Sequence, residues 1–349
     1  MTLTLDRPAT QVAEIVGDVT RREFVLGALS MAALLAACGD DDPTASPPST
    51  GGRWEFTDDR GETIRLDAPP ERIVTLSLAT GALWALGVRP VGILGQPRTP
   101  DGGIDPLLGA VDPDIASVGE YPEVNIERLA ALFPDLVVDN LFNDTLDAAE
   151  ASPGQKDRVI AVAPVVAIGT TGRSVPAVID RFAELAGALG ANLAAPELVE
   201  AKTRFERAAE RLRAAAAAKA GLRVMICWTP AEQLEVLNPL TYPFGLLLRD
   251  LGLDLVVPEG AGPNAAVQAL SWERADTYPA DLIVRFVNPR FPEAAAGIDN
   301  PLWKRLPAVR AGQVSTWDPA WHLNSHANYA AILTRLSEVV ERAEGDVAA

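Results

Sequence analysis

Residues 125–138 read Asn-Ile-Glu-Arg-Leu-Ala-Ala-Leu-Phe-Pro-Asp-Leu-Val-Val, and residues 271–284 read Ser-Trp-Glu-Arg-Ala-Asp-Thr-Tyr-Pro-Ala-Asp-Leu-Ile-Val. In both stretches a glutamate, Glu127 or Glu273, stands eight residues before an aspartate, Asp135 or Asp281, that opens an apolar strand. Upstream, each half begins with an Arg-led apolar strand, at Arg72 and Arg223, followed by a helix ending in Leu-Gly, at Leu86-Gly87 and Leu251-Gly252. A repeat on this scale predicts two similar lobes, although Asp-Leu-Val strands are common enough for generic α/β units to resemble one another. Residues 72–78 form a continuous apolar strand, 80–86 a helix stopped by Gly87, and 90–94 another strand. Continuous apolar strands alternating with helices indicate parallel sheets covered on both faces. The expected fold is therefore α/β: two similar parallel-sheet lobes joined by one long α-helix.

Working outward, residues 174–190 are amphipathic and end at Gly190, and residues 196–219 are rich in Ala, Glu and Arg with no internal Gly or Pro. Pro196 suits a helix start. Roughly 24 helical residues extend about 36 Å, enough to pass from one lobe to the other; an ordinary surface helix of the second lobe fits the same residues. Residues 53–66 read as a hairpin turning at Asp59, Arg60 and Gly61. The N-terminal lobe is thus expected over 53–173, the helical region with the interlobe helix over 174–219, and the C-terminal lobe over 220–349.

The first 37 residues have a different character. Thr20-Arg21-Arg22-Glu23-Phe24-Val25-Leu26 sets two arginines before an apolar run reaching Ala37, and Leu35-Ala36-Ala37-Cys38 follows. The run holds roughly 14 residues where a bilayer-crossing helix needs about 20. The order of arginines, apolar run, small residues and cysteine predicts a twin-arginine signal with a lipobox, cut before a lipidated Cys38. A short buried helix is the alternative. Residues 38–52, mostly Asp, Pro, Ser, Thr and Gly, cannot bury enough surface to offset their ordering entropy and read as a flexible tether. The expected location is the outer face of the cytoplasmic membrane, with the chain exported and lipid-anchored.

The full chain has 349 residues and a net charge of −17. Residues 1–37 carry four acids (Asp6, Glu14, Asp18, Glu23) and three bases (Arg7, Arg21, Arg22), so their removal leaves −16. Such a surface repels nucleic-acid phosphates and favours neutral or cationic ligands. With Cys38 lipidated, Cys227 has no disulfide partner; in Val224-Met225-Ile226-Cys227 it reads as a small buried hydrophobe.

A wider set of residues resembles a known family. Arg72-Ile73-Val74, then Ala85-Leu86-Gly87-Val88, Pro90-Val91-Gly92, Val118-Gly119, Asn125-Ile126-Glu127 and Phe133-Pro134-Asp135-Leu136-Val137 are similar to the substrate-binding lipoproteins of ferric-siderophore and cobalamin ABC importers. Asn300-Pro301-Leu302-Trp303 and Leu306-Pro307-Ala308-Val309-Arg310-Ala311-Gly312-Gln313-Val314 resemble that family's closing segment. The resemblance spans about residues 55–340. It implies two lobes on one long linking helix, a ligand held in a shallow cleft between them, no chemistry on that ligand, and no cofactor. It also implies a monomer delivering an iron chelate to an ABC permease, docked through Glu127 and Glu273; a first-turn glutamate favoured by the helix dipole explains the same residues.

Open α/β sheets bind ligands at the carboxyl ends of their strands. That rule selects Ser77, Tyr121, Asn140 and Phe142 in the first lobe, and Trp228, Tyr242, Arg285, Phe286, Trp321 and His322 in the second. Aromatics are only 6% of the chain, yet many fall at these ends, as an organic chelate requires. An anionic tricatecholate or ferric citrate needs several converging cations, and only Arg285 is readily placed. The expected ligand is therefore a ferric-siderophore complex of the hydroxamate kind, with cobalamin and haem as alternatives. His322 and His326, spaced i, i+4, lack the further ligands of a protein-held metal site. An exported α/β hydrolase is the competing class, but the chain has no G-x-S-x-G elbow, H-E-x-x-H, P-loop or dinucleotide fingerprint.

Overall fold

The computed structural model describes residues 52–76, 78–99, 102, 103, 105, 108–259, 266–287, 292–317 and 319–348. Residues 1–37, where a signal is expected, Cys38 and Ser77 lie outside the described residues.

The N-terminal lobe opens with a hairpin, β1 (Trp54–Thr57) and β2 (Thr63–Leu66). Next come β3 (Ile73–Thr75), α1 (Ala79–Ala85), β4 (Gly92–Ile93), β5 (Ala116–Ser117), the small ribbon β6 (Gly119–Glu120) and β7 (Glu123–Val124), and α2 (Ile126–Ala131). The lobe closes with β8 (Leu136–Phe142), β9 (Thr145–Leu146), α3 (Gln155–Val162) and β10 (Val165–Gly169). Its sheet runs β10-β8-β3-β4-β5, all parallel, with β9 turned back on β8. Strand β8 is buried at every position but its last, and alternate residues feed opposite cores. Leu136 and Val138 pack with Val178 and Phe182 of the helix that follows β10, while Val137 and Leu141 pack with Leu129 and Val159.

Helices α4 (Val175–Ala188) and α5 (Pro196–Ala218) then lead to the second lobe. The long helix α5 falls where its sequence placed it, and its stripe of Phe205, Ala208, Leu212 and Ala215 joins the C-terminal core. Helix α4 serves both lobes: Val178, Phe182 and Leu185 enter the first core, Val175 and Ile179 the second.

The C-terminal lobe holds β11 (Arg223–Trp228), β12 (Gln233–Leu237), α6 (Pro243–Asp250), β13 (Asp254–Leu255), β14 (Val267–Ser271), β15 (Leu282–Phe286), α7 (Pro307–Arg310), β16 (Val314–Trp317) and α8 (His326–Arg342). Its sheet corrects the expectation of a purely parallel lobe. Strands β13, β11, β15 and β16 pair in parallel, but β12 runs the other way and pairs antiparallel with both β11 and β14. The link between β11 and β12 spans only residues 229–232, too short for a parallel crossover, so the chain must form a hairpin.

The repeated aspartate has a structural role common to both halves. Asp135 donates its N–H to the Arg72 carbonyl at 2.8 Å while its carboxylate accepts the Arg72 N–H at 2.8 Å. Asp281 does the same with Arg223, at 2.9 and 3.0 Å. Each aspartate thus stitches together the starts of two neighbouring parallel strands. The helices before these strands differ. Asn125 caps α2 by accepting the Arg128 N–H at 2.9 Å, whereas Trp272–Arg274 make a single 3-10 turn. There the Thr277 hydroxyl donates to the Arg274 carbonyl at 2.6 Å, the local competition that makes threonine a poor helix extender.

Candidate functional site

A cavity of about 480 Å³ opens where the carboxyl ends of the two sheets face each other. The N-terminal lobe contributes Leu94 after β4, Tyr121 from the β6–β7 turn, Asn140 and Phe142 from the end of β8, Asp147 after β9, and Thr170 after β10. The C-terminal lobe contributes Trp228 from the end of β11, Tyr242 and Phe244 at the start of α6, Phe286 from the end of β15, and Trp321 and His322 from a 3-10 turn.

The C-lobe wall is an aromatic block. Trp321, 5% exposed, stacks on Phe286 at 4.2 Å between centroids and meets the edge of Phe244 at 4.4 Å. Tyr242 lies 5.6 Å from Trp321, and Trp228 is 6.2 Å from Phe286. Helix α8 fixes the turn that carries Trp321: the Asn328 amide donates to the Ala320 and Leu323 carbonyls at 2.6 and 3.0 Å, and the Tyr329 hydroxyl donates to the Trp321 carbonyl. Ser325 caps the same helix through the Asn328 N–H at 3.2 Å. Under Tyr242, a Cβ on Gly245 would lie 1.9 Å from the Pro239 carbonyl oxygen, so only glycine lets α6 close on the preceding turn. Phe142 faces Tyr242 across the cleft at 6.2 Å.

The N-lobe wall is polar and acidic. Asp139, fully buried beside Asn140, accepts N–H bonds from Asn140 and Ala149 at 2.8 Å and from Ala148 at 3.1 Å. Its burial, aided by the Asp147 charge, nevertheless pushes its carboxyl up to about 7. Burial also raises the Tyr121 phenol, with Asp147 and Asp139 adding to the effect. Across the cleft burial pushes Tyr242 up to about 12, and desolvation pushes His322 down to about 3, so the imidazole is neutral. Among the described lining residues there is no Lys or Arg, while Asp105 and Asp147 are both present. Both amide atoms of Asn140 and the Trp228 indole nitrogen are buried with no partner among the described residues.

Tyr121, Asn140, Phe142, Trp228, Tyr242, Phe286, Trp321 and His322 were all expected at this site, and the cavity brings them together. Arg285 is not among the lining residues. It alternates with Phe286 along β15 and so projects from the opposite face of the sheet, the face of its registered partner Cys227. Glu127 and Glu273 are exposed, each on its own lobe and outside the cleft. His322 and His326 do not share a helix: His326 begins α8, with its ring 5.3 Å from Phe205 of α5. Among the described residues no group of three or more His, Cys, Asp or Glu side chains is placed to hold a metal ion. The sequence reading passed over Leu94 and Thr170, although the strand-end rule applied to β4 and β10 selects both. Phe244 and Asp147 carry no such signal, because one sits inside a helix and the other follows a short antiparallel return.

Comparisons with known proteins agree with this geometry. A family model described as periplasmic binding protein matches residues 73–320. The chain is 26% identical over 262 residues to the Fe(3+)-citrate-binding protein YfmC of Bacillus subtilis (strain 168), covering 74% of this chain and 76% of the relative. Among solved structures, DesE, a ferric-siderophore receptor protein from Streptomyces coelicolor, superposes with a TM-score of 0.75 at 34% identity, covering 83% of this chain and 99% of DesE. The triscatecholate siderophore binding protein FeuA from Bacillus subtilis, complexed with Ferri-Bacillibactin, shares the fold with a TM-score of 0.61 at 17% identity, covering 82% and 97%. These relatives are solute-binding proteins, not enzymes. Two lobes, a ligand-sized cleft at the facing strand ends and a family match across both lobes lead to one conclusion: the chain belongs to the periplasmic binding protein family.

Proposed function

We propose that this protein captures a ferric-siderophore complex outside the cytoplasmic membrane and hands it to an ABC permease. The observation that carries the proposal is the cleft itself, aromatic on one wall, hydrogen-bonding on the other, and without a described cation. Such a site suits an organic chelate that brings its own iron ligands. The iron is cargo, and the protein recognises the chelator around it. The relatives bear on this reading through their names: one binds Fe(3+)-citrate, one is a ferric-siderophore receptor and one binds a triscatecholate siderophore.

Within that class the reading favours a neutral or cationic trihydroxamate. Citrate and tricatecholate complexes are anionic and call for converging Arg or Lys, which the described lining lacks. Delivery uses Glu127 and Glu273 as the two docking points on the permease, one per lobe. A twin-arginine signal exports the chain and is cut off, and the lipidated Cys38 then tethers the monomer to the membrane. A thermal-denaturation panel of the purified chain with ferric trihydroxamates, ferric tricatecholates, ferric citrate, cobalamin and haem tests the proposal. A ligand present at 100 times its Kd adds roughly 2.7 kcal/mol to the folded state. Stabilisation by a ferric trihydroxamate is the expected result; stabilisation by citrate or tricatecholate alone overturns the hydroxamate preference, and silence throughout overturns the function.

A further inference from the structure

Two segments of the N-terminal lobe that lie apart in the chain are joined by one buried side chain, Gln155, the first residue of α3 and 5% exposed. Its Oε1 accepts the Val124 N–H at 2.8 Å, and its Nε2 donates to the Pro122 carbonyl at 3.1 Å and to the Ala148 carbonyl at 2.7 Å. Both amide hydrogens and the amide oxygen are thus in use. Gln155 does not line the cavity, yet Pro122 directly follows Tyr121, which does. The ribbon that carries Tyr121 needs such support. Strands β6 and β7 have two residues each, and so short a hairpin does not hold its own shape in water. At its turn Tyr121 is 59% exposed. Ala148, by contrast, is a fixed post: its N–H donates at 3.1 Å to the carboxyl of Asp139, a fully buried residue of β8. Gln155 ties the ribbon to that post at both the turn and the second strand, and a fully paired buried amide holds its neighbours stiffly.

Resting on the ferric-chelate reading above, we infer that Gln155 is a positioning residue for the ligand: it braces the β6–β7 ribbon from behind and so sets the place of Tyr121 in the cleft. Tyr121 then meets the bound complex from the N-terminal lobe, while the ring faces of Trp321 and Phe286 back it from the other. With the brace in place, the ring is ordered before the ligand arrives. Without it, each binding event has to order the ribbon first, and that cost is subtracted from affinity.

The test is a double-mutant cycle in the purified full-length chain, with dissociation constants for a ferric trihydroxamate read from quenching of tryptophan fluorescence. Gln155→Met keeps the length of the side chain and removes its three hydrogen bonds; Tyr121→Ala removes the ring it is inferred to place. Each single variant is expected to bind about five- to tenfold more weakly. The double variant is expected to bind within about twofold of Tyr121→Ala alone, because a brace has no effect once the braced ring is gone. Unchanged affinity in either single variant overturns the inference and leaves the ferric-chelate reading standing. So does a Gln155→Met penalty that persists in full without Tyr121, since Gln155 would then be supporting the lobe in general. Wild-type protein supplies a second measurement that requires no variant to fold: the ferric complex should slow deuterium exchange across residues 119–124, and unchanged exchange there also overturns the inference. Absence of binding by the wild type refutes the ferric-chelate reading, and the inference falls with it.

Discussion

The Trp228 indole nitrogen is buried with nothing to donate to among the described residues. Folding therefore pays a desolvation cost that a ligand acceptor can return. Trp228→Phe keeps most of the ring and removes the orphan donor, so the melting temperature should stay level or rise, while affinity for the chelate falls about five- to tenfold. Calorimetric melting and fluorescence titration of the same variant check the two halves of this statement, and a variant that melts lower with unchanged affinity contradicts it. Asp139 gives a second residue-scale prediction. Its folded carboxyl, pushed up to about 7 by burial, holds a proton that the unfolded chain releases near 4. Its contribution to stability is thus fully present below pH 4 and is lost as pH rises through 7. Relative to Asp139→Asn, which carries no titratable group there, wild-type stability should fall between pH 5 and 7.5 in denaturant titrations. The aromatic residues of the site were legible in the sequence because strand ends are. The direction of Arg285 was not, since whether a strand's last residue or the one before it faces the cleft depends on register.

At the scale of elements, an ion-pair knot holds the N-terminal hairpin to the lobe. The Asp59 carboxylate accepts from Arg173 at 2.7 and 3.0 Å, from Arg181 at 3.0 Å, and from the Gly169 N–H at 2.7 Å. Burial opposes its charge, but those donors hold the Asp59 carboxyl below the usual range. Asp58 meanwhile accepts the Ala167 N–H at 3.0 Å and Arg60 donates to the Val165 carbonyl at 2.6 Å, so the turn covers the outer edge of β10. Asp59→Ala leaves two arginines facing each other without their acid and should cost about 2–4 kcal/mol, discounted for the partial exposure of Arg173; urea denaturation measures it. In the long helix, Leu212 is fully buried in the C-terminal core, and Leu212→Ala should cost about 2–5 kcal/mol by the same measurement. The hairpin, its turn and α5 were all legible from turn residues and from an uninterrupted run of helix formers. The reversed strand β12 was not, because a short apolar strand carries the same residues whichever way its neighbour runs, and only the brevity of the 229–232 link decides between the two.

For the whole molecule, the half-repeat first read from Glu127-to-Asp135 and Glu273-to-Asp281 has two consequences of different kinds. The aspartates stitch neighbouring strands within each sheet. The glutamates stay exposed on separate lobes, where the proposed permease contact needs them. Replacing both, Glu127→Arg with Glu273→Arg, should abolish uptake of the iron complex by cells while changing the purified protein's Kd by less than about twofold, because long-range effects on a distant cleft are screened over about 10 Å. Uptake that survives the double replacement removes the docking role. The central claim is that the cleft recognises an iron-loaded chelate, and isothermal titration of the purified chain with a ferric trihydroxamate and with its iron-free form addresses it most directly. The account predicts saturable one-to-one binding of the ferric complex, with the iron-free chelator about a hundredfold weaker because it must be ordered on binding. Equal affinity for the two forms, or no binding of either, contradicts it.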